Sequence, residues 1–197
     1  GNDWTWGKIG IIERIRIQYG TSMVYPISSI GAHVAAVPSH QTGRITSIET
    51  RANVAYFGTF GYELDFDKLN VEEQEKVKGQ IEFFKQHRDL ITTGDFYRIK
   101  SPFENNEISW MVVSKDKKEA LLAYYKVLAE SNHGFKRIYL EGLDANKEYT
   151  ISTRNKTYYG DELMNLGFLI ESKFIGTGHN KDKICYFYSE IHYIKEK

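Results

Sequence analysis

The chain has almost no cysteine, no excess of charge of either sign and no long apolar run, and each lack removes a class of protein. A single cysteine, Cys185, stands in 197 residues, so no internal disulfide can form. Its neighbours in ICYFYSEIHY read as a strand, and a packed, inert thiol is expected there rather than a nucleophile. Lys plus Arg and Asp plus Glu each number 26. No net field draws such a chain to nucleic acid or to an anionic membrane surface, and neither partner is expected. No stretch approaches the roughly 18 apolar residues of a membrane-crossing helix. The N-terminus carries no basic segment followed by an apolar one, so a cytoplasmic location is expected. His33 and His40 lie seven positions apart, which matches no recognised metal spacing, and no acidic or cysteine partners cluster with them; no metal is expected. There is no internal repeat and no low-complexity segment.

What is present is enough to build a real core, with 41% of the residues apolar. Tyr (14) and Phe (11) far outnumber Trp (3), a balance that suits β-rich structure. Ile11, Ile12, Ile15 and Tyr19 fall along one helical stripe with Gly20 beyond, which predicts a short helix over 11–19 ending at that glycine. Two apolar runs, Ala32 to Val37 and Val54 to Phe60, lack the alternation of a strand with one wet face and read as strands buried on both sides, as in a parallel sheet. Between them Pro38 to Arg51 reads as a long polar loop. Gly58 and Gly61 interrupt the second run, where close packing is expected rather than a phosphate cradle.

Asn70 with Glu73 three residues later predicts a capping box at the start of a helix. Val77, Ile81, Phe84, Arg88 and Ile91 then carry an amphipathic helix over 71–91. Helix, strand, loop, strand, helix is the rhythm of an α/β barrel or an open parallel sheet. Near Gly94 it changes. Strand-like segments at 96–99, 108–113, 120–128, 137–143, 149–152 and 184–193 are separated by turn residues such as Asn105, Asp116, Gly134 and Asn146, which argues for an antiparallel β-sandwich. The predicted class is α/β plus all-β, with one domain over 1–93 and a second over 94–197.

The segments IQYGTSMVYP, GAHVAAVPSHQTGRITSIETRANVAYFGTFGYELD, HRDLITTGDFYRIKSPFE and YGDELMNLG together resemble the C-terminal quarter of bacterial α-galactosidases of glycoside hydrolase family 36. The resemblance is ordered and nearly gap-free from Trp4 to Gly167. It implies that residues 1–93 are the C-terminal third of a (β/α)8 TIM barrel and 94–197 the antiparallel β-sandwich that follows it. It further implies a retaining enzyme that uses two Asp residues and no cofactor to release terminal α-galactose from melibiose- and raffinose-type oligosaccharides.

In the family the acid/base Asp sits in a motif Trp-Thr-Ser-Asp-Asn-Thr-Asp-Ala-Ile-Glu-Arg. This chain matches both flanks in register, at Trp4 and Thr5 and again from Ile12 to Arg14, but differs at all six positions from Trp6 to Ile11. The resemblance thus puts Gly7 where the catalytic carboxylate belongs, and the nucleophile's motif before Gly1. Retaining glycosidases need two carboxyl groups about 5 Å apart, so the chain by itself is expected to be inactive.

Trp4 and His33 are the candidate substrate-binding residues. His33 lies in a presumed barrel strand, for which a buried, hydrogen-bonded structural histidine is the competing reading. A partial barrel would also expose strand edges, so a homo-oligomer is expected for the full-length enzyme. The other reading is a non-catalytic carbohydrate-binding or assembly module. A sugar-binding module would display an exposed aromatic platform, with Trp110, Tyr124 and Tyr158 as its candidates against their role as core residues.

Overall fold

The computed structural model describes residues 11–35, 48–104, 106–128, 135–171 and 186–197, and they combine helices with both parallel and antiparallel strand pairs. The chain divides into two compact units, Gly1–Thr92 with Lys183–Phe187 and Thr93–Asp182 with Tyr188–Lys197. None of the described helices is long and apolar enough to cross a membrane.

The first unit begins with helix α1 (Ile11–Ser22). Its buried stripe is Arg14, Ile15, Gln18 and Tyr19, so two polar side chains share the apolar face. The helix runs through Gly20 instead of ending there, and closes where the Val24 and Tyr25 amides donate to the Thr21 carbonyl. After a 3-10 turn at Ile27–Ser29 come strand β1 (Gly31–Ala35), helix α2 (Ile48–Ala55) and strand β2 (Thr59–Glu63). The expected strand over 54–60 and the expected loop up to Arg51 are both corrected by α2. The apolar run begins in the last turn of this helix, passes through a tight bend at Tyr56–Gly58 and enters β2 only at Thr59. Val54, Ala55, Tyr56 and Phe57 are all buried, and a run buried on every side carries no periodicity to separate helix end from strand.

β1 and β2 pair in parallel, Gly31 with Thr59 through Ala35 with Glu63. Gly58 makes the approach possible, since a Cβ there would stand 2.7 Å from both Ala32 Cβ and the Ile30 carbonyl oxygen. Helix α3 (Val71–Thr93) follows. At its start the Glu73 amide donates to Asn70 Oδ1 at 2.8 Å, while Asn70 Nδ2 donates to Glu73 Oε1 at 3.1 Å. The expected reciprocal box is therefore half built: Asn70 satisfies an orphan amide, and Glu73 steadies the cap side chain. The buried stripe is Val77, Gln80, His87, Leu90 and Ile91, with Ile81 36% exposed and Arg88 in solvent. The face that packs is rotated from the one predicted.

The second unit carries strands β3 (Asp95–Lys100), β4 (Glu107–Val113), β5 (Glu119–Leu128), β6 (Phe135–Ile138), β7 (Glu148–Ile151), β8 (Thr157–Tyr159), β9 (Phe168–Glu171) and β10 (Tyr186–Glu196). Six form one sheet in the order β3-β4-β5-β10-β7-β8, and β6 pairs with β9 in a separate two-stranded sheet. The pairs β3–β4, β4–β5, β7–β10, β7–β8 and β6–β9 are antiparallel. One core joins the two sheets: Met111, Leu122, Tyr124, Tyr149 and Ile194 from the large sheet meet Ile138, Phe168 and Ile170 from the small one, with Leu163 beside them. β8, β9 and the π-helical turn Glu162–Leu166 between them were not anticipated from the sequence.

The carboxylate of Glu107 is held at the edge of this core by four strands. It accepts from Tyr124 Oη at 2.9 Å and Lys100 Nζ at 3.1 Å, and it pairs with Lys136. Burial alone would push its pKa up, but the bonds from Lys136, Tyr124 and Lys100 outweigh that and leave it below the usual carboxylate value.

Candidate functional site

The β1–β2 pair has two unlike faces, and the difference follows from strand alternation. Ala32 and Val34 lie on one face, at 1% and 0% exposure. Phe60 and Tyr62 of β2 share that face and meet α3: Phe60 stacks on Phe84 with ring centres 4.9 Å apart, and Tyr62 Oη donates to Gln80 Oε1 at 2.7 Å. Burial pushes the Tyr62 phenol above its ordinary value, against a smaller opposite pull from Arg51, so it stays a donor. Gly31, His33, Thr59 and Gly61 lie on the opposite face, and none of the four is buried.

His33 is the chemically distinctive group on this open face. It pairs in register with Gly61, and a Cβ at Gly61 would stand 2.7 Å from His33 Cδ2 and 3.1 Å from Nε2. The imidazole thus lies across the neighbouring strand, over a position where no side chain larger than hydrogen fits. Its main chain is anchored separately, since Arg14 Nη1 donates to the His33 carbonyl oxygen. Gln18 Nε2, one turn further along α1, donates to the Val54 carbonyl at 3.2 Å and the Phe57 carbonyl at 3.1 Å, closing the end of α2. Burial brings the Arg51 guanidinium down to about 10, opposed by Glu73 and assisted by its like-charged neighbour Arg14. Arg51 remains a cation at neutral pH.

Such an arrangement can hydrogen-bond a hydroxyl-rich ligand through a half-exposed imidazole beside a glycine floor. It does not by itself supply two opposed carboxyl groups. Trp4 and Gly7 lie outside the described residues, as do His40, Cys185 and most of the Pro38–Arg51 segment. Arg14 and Gln18 were missed in the sequence, although a signal was present: they occupy the same helical stripe as Ile11 and Ile15. Among the described residues no three His, Cys, Asp or Glu side chains gather where they could hold a metal ion.

The three aromatic residues offered as a sugar platform do not form one. Trp110 is 1% exposed, with its ring 5.1 Å from that of Tyr125; Tyr124 is fully buried with its hydroxyl on Glu107. Tyr158 is half-buried against the core, with Lys156 Nζ over its ring at 4.7 Å. The platform reading is corrected: strand packing claims all three.

A parallel pair open on one face, followed by an antiparallel sheet, places the chain among glycoside hydrolases once it is set beside known proteins. The Melibiase family model matches residues 1–94, and the model of the glycosyl hydrolase family 36 C-terminal domain matches residues 107–188. The chain belongs to glycoside hydrolase family 36. Alpha-galactosidase AgaA of Geobacillus stearothermophilus is 52% identical over 164 residues, which are 83% of this chain and 22% of that protein. The bifunctional alpha-galactosidase/sucrose kinase AgaSK of Mediterraneibacter gnavus is 41% identical over 83% of this chain and 18% of its own. The crystal structure of the Geobacillus AgaA superposes with a TM-score of 0.86 at 46% identity, covering 94% of this chain and 24% of that one. Variants of that enzyme have been solved in complex with raffinose and with stachyose. The chain spans about a fifth of the length of these curated relatives.

Proposed function

We propose that the chain is the C-terminal portion of a retaining α-galactosidase that hydrolyses terminal non-reducing α-D-galactose from melibiose- and raffinose-type oligosaccharides. In this reading residues 1–93 supply the last third of a (β/α)8 barrel and residues 94–197 the β-sandwich that follows it. The observation that carries it is the 52% identity to AgaA over 164 residues, together with the two unlike faces of the β1–β2 pair. Barrel strands turn one face to the surrounding helices and the other to the interior. Phe60 and Tyr62 packed on α3 fit the first role, and the open face with His33 fits the second.

His33 and Trp4 then contribute to substrate binding, and Gly7 occupies the acid/base position without a carboxylate. The whole enzyme acts in the cytoplasm as a homo-oligomer, and needs no cofactor. The nucleophile comes from the earlier part of the barrel, so this chain alone does not turn over substrate.

The test is made in the full-length enzyme. Restoring the six-residue block, Trp6→Ser, Gly7→Asp, Lys8→Asn, Ile9→Thr, Gly10→Asp and Ile11→Ala, is expected to raise activity on raffinose by about 100- to 10,000-fold, the usual worth of a positioned general acid. Gly7→Asp alone is expected to recover little, because the other five positions of the block would still differ from the family motif. No gain from the full block would remove the assignment of Gly7 and send the search for the acid elsewhere.

A further inference from the structure

The second unit aligns a hydroxyl, an imidazole and a carboxylate. Glu190 and His192 lie on β10, and Thr153 lies in the turn that follows β7. His192 Nε2 stands 2.8 Å from Glu190 Oε2, and His192 Nδ1 bonds Thr153 Oγ1. The imidazole is 2% exposed, the Glu190 side chain 16%, and Thr153 is in solvent.

The proton positions follow from the partners. An ionised carboxylate can only accept, so the Glu190 contact requires the ring proton on Nε2. In the neutral imidazole that leaves Nδ1 as a lone pair, to which the Thr153 hydroxyl donates. The base is thus buried and held in one tautomer, while the hydroxyl that it faces is open to solvent. Arg154 Nη1 donates to Thr153 Oγ1 at 3.4 Å and to the Thr153 carbonyl at 3.2 Å. The same guanidinium is fixed by Nη2 on the Leu169 carbonyl at 3.0 Å and by lying 4.8 Å from the Phe168 ring centre. Phe168 also meets the His192 ring edge-on at 5.0 Å. The turn is clamped to β10 at the residue before the hydroxyl: the Ser152 amide donates to the Tyr193 carbonyl at 2.9 Å, and the Tyr193 amide donates to Ser152 Oγ at 3.1 Å.

We propose that Thr153 is an activated hydroxyl, a site of covalent acylation by small activated esters, with His192 as its base and Glu190 as the carboxylate that fixes the base. Nucleophile, base and orienting acid within hydrogen-bond reach are what such activation requires, whatever fold carries them. In the step, Thr153 Oγ forms a bond to the ester carbonyl carbon as its proton moves to His192 Nδ1. The oxyanion forms beside the Arg154 cation. Collapse breaks the bond to the leaving oxygen, which departs as an alcohol or phenol after taking the proton from His192, and the acyl group remains on Thr153. The proposal does not depend on the glycosidase reading, because none of these residues belongs to the barrel face.

The full 197-residue chain is incubated with p-nitrophenyl acetate at pH 8, and acetylated peptides are mapped and quantified by mass spectrometry. Acetylation is expected at Thr153 ahead of every other Ser and Thr, with a rate that falls about 100-fold or more in His192→Gln, the loss typical of a removed general base. Thr153→Val is expected to abolish the adduct, and Thr153→Ser to retain it. Thermal unfolding of each variant separates loss of the base from loss of fold. Acetyl transfer at Thr153 no faster than at other exposed threonines, or unchanged in a folded His192→Gln or Glu190→Gln variant, would overturn the proposal and leave the cluster as a latch between the turn and β10.

Discussion

Gly61 decides how the open face of the strand pair is built, because the His33 imidazole occupies the space its side chain would take. Gly61→Ala forces a Cβ to 2.7 Å from His33 Cδ2, so either the ring or β2 must move. Overpacking of this kind costs about 1–3 kcal/mol. Urea unfolding of the whole chain should show that loss, and Gly61→Ala combined with His33→Ala should recover most of it. A neutral Gly61→Ala would mean that the ring has another resting place, and His33 would lose its fixed position on the face.

Glu107 makes a second prediction at the scale of one side chain. Its native pKa is lowered, so its contribution to stability is present in full above the ordinary carboxylate range and is lost as pH falls through the native value. Glu107→Gln should therefore unfold more readily than the parent chain at pH 7, by about 1.5–3 kcal/mol for lost charge-assisted hydrogen bonds. The gap should narrow as pH falls below the ordinary carboxylate range, about 4.3, and close only beneath the lowered native value, where both carry a neutral group. A gap that is constant from pH 7 to pH 3 would show that packing, rather than the carboxylate, holds this corner.

At the level of single elements, the sequence announced those whose caps or periods are local. The start of α3 was legible because Asn70 and Glu73 are three apart, and the contacts of the cap side chain are made within the same turn. Asn70→Ala should cost about 1 kcal/mol, the usual worth of an N-cap. Urea titration of the two proteins side by side would reveal it, and no change would mean that the frayed end is stabilised from elsewhere. β4 and β5 were legible for another reason: their apolar runs are long and bounded by turn residues. The helix α2 was not. Its buried Ala52, Val54 and Ala55 merge with Tyr56 and Phe57 into one apolar string, and the Gln18 bonds to Val54 and Phe57 help to mark where the helix stops. Those bonds cross 36 and 39 positions, which no local pattern can report. The same limit applies to the site: His33 could be singled out as a polar residue in an apolar strand, whereas its partner Gly61 and its anchor Arg14 are set by register and tertiary contact. Likewise Thr153, Glu190 and His192 meet only because a turn folds back on a distant strand.

At the scale of the whole molecule, the two units differ in whether their described strands have partners. The six-stranded and two-stranded sheets of the second unit share one core, whereas the β1–β2 pair has no third strand among the described residues. A two-stranded pair is poorly stable by itself. Residues 94–197 expressed alone are expected to unfold in one sharp thermal transition, and residues 1–91 alone to show none. A cooperative transition in a monomer of the shorter N-terminal piece would contradict the partial-barrel reading.

Our proposal is that this chain carries part of the binding face and the following sheet of an α-galactosidase but neither of the carboxyl groups that cleave the bond. It is tested most directly by assaying the purified 197-residue chain on p-nitrophenyl α-D-galactoside, a glycoside with no ester for Thr153 to attack. The account predicts release of nitrophenol no faster than in the buffer alone. Turnover that co-purifies with the chain and disappears in His33→Ala would contradict it, because a chain with Gly7 in place of the acid and no nucleophile motif would then be cleaving the bond with groups that the family assignment does not contain.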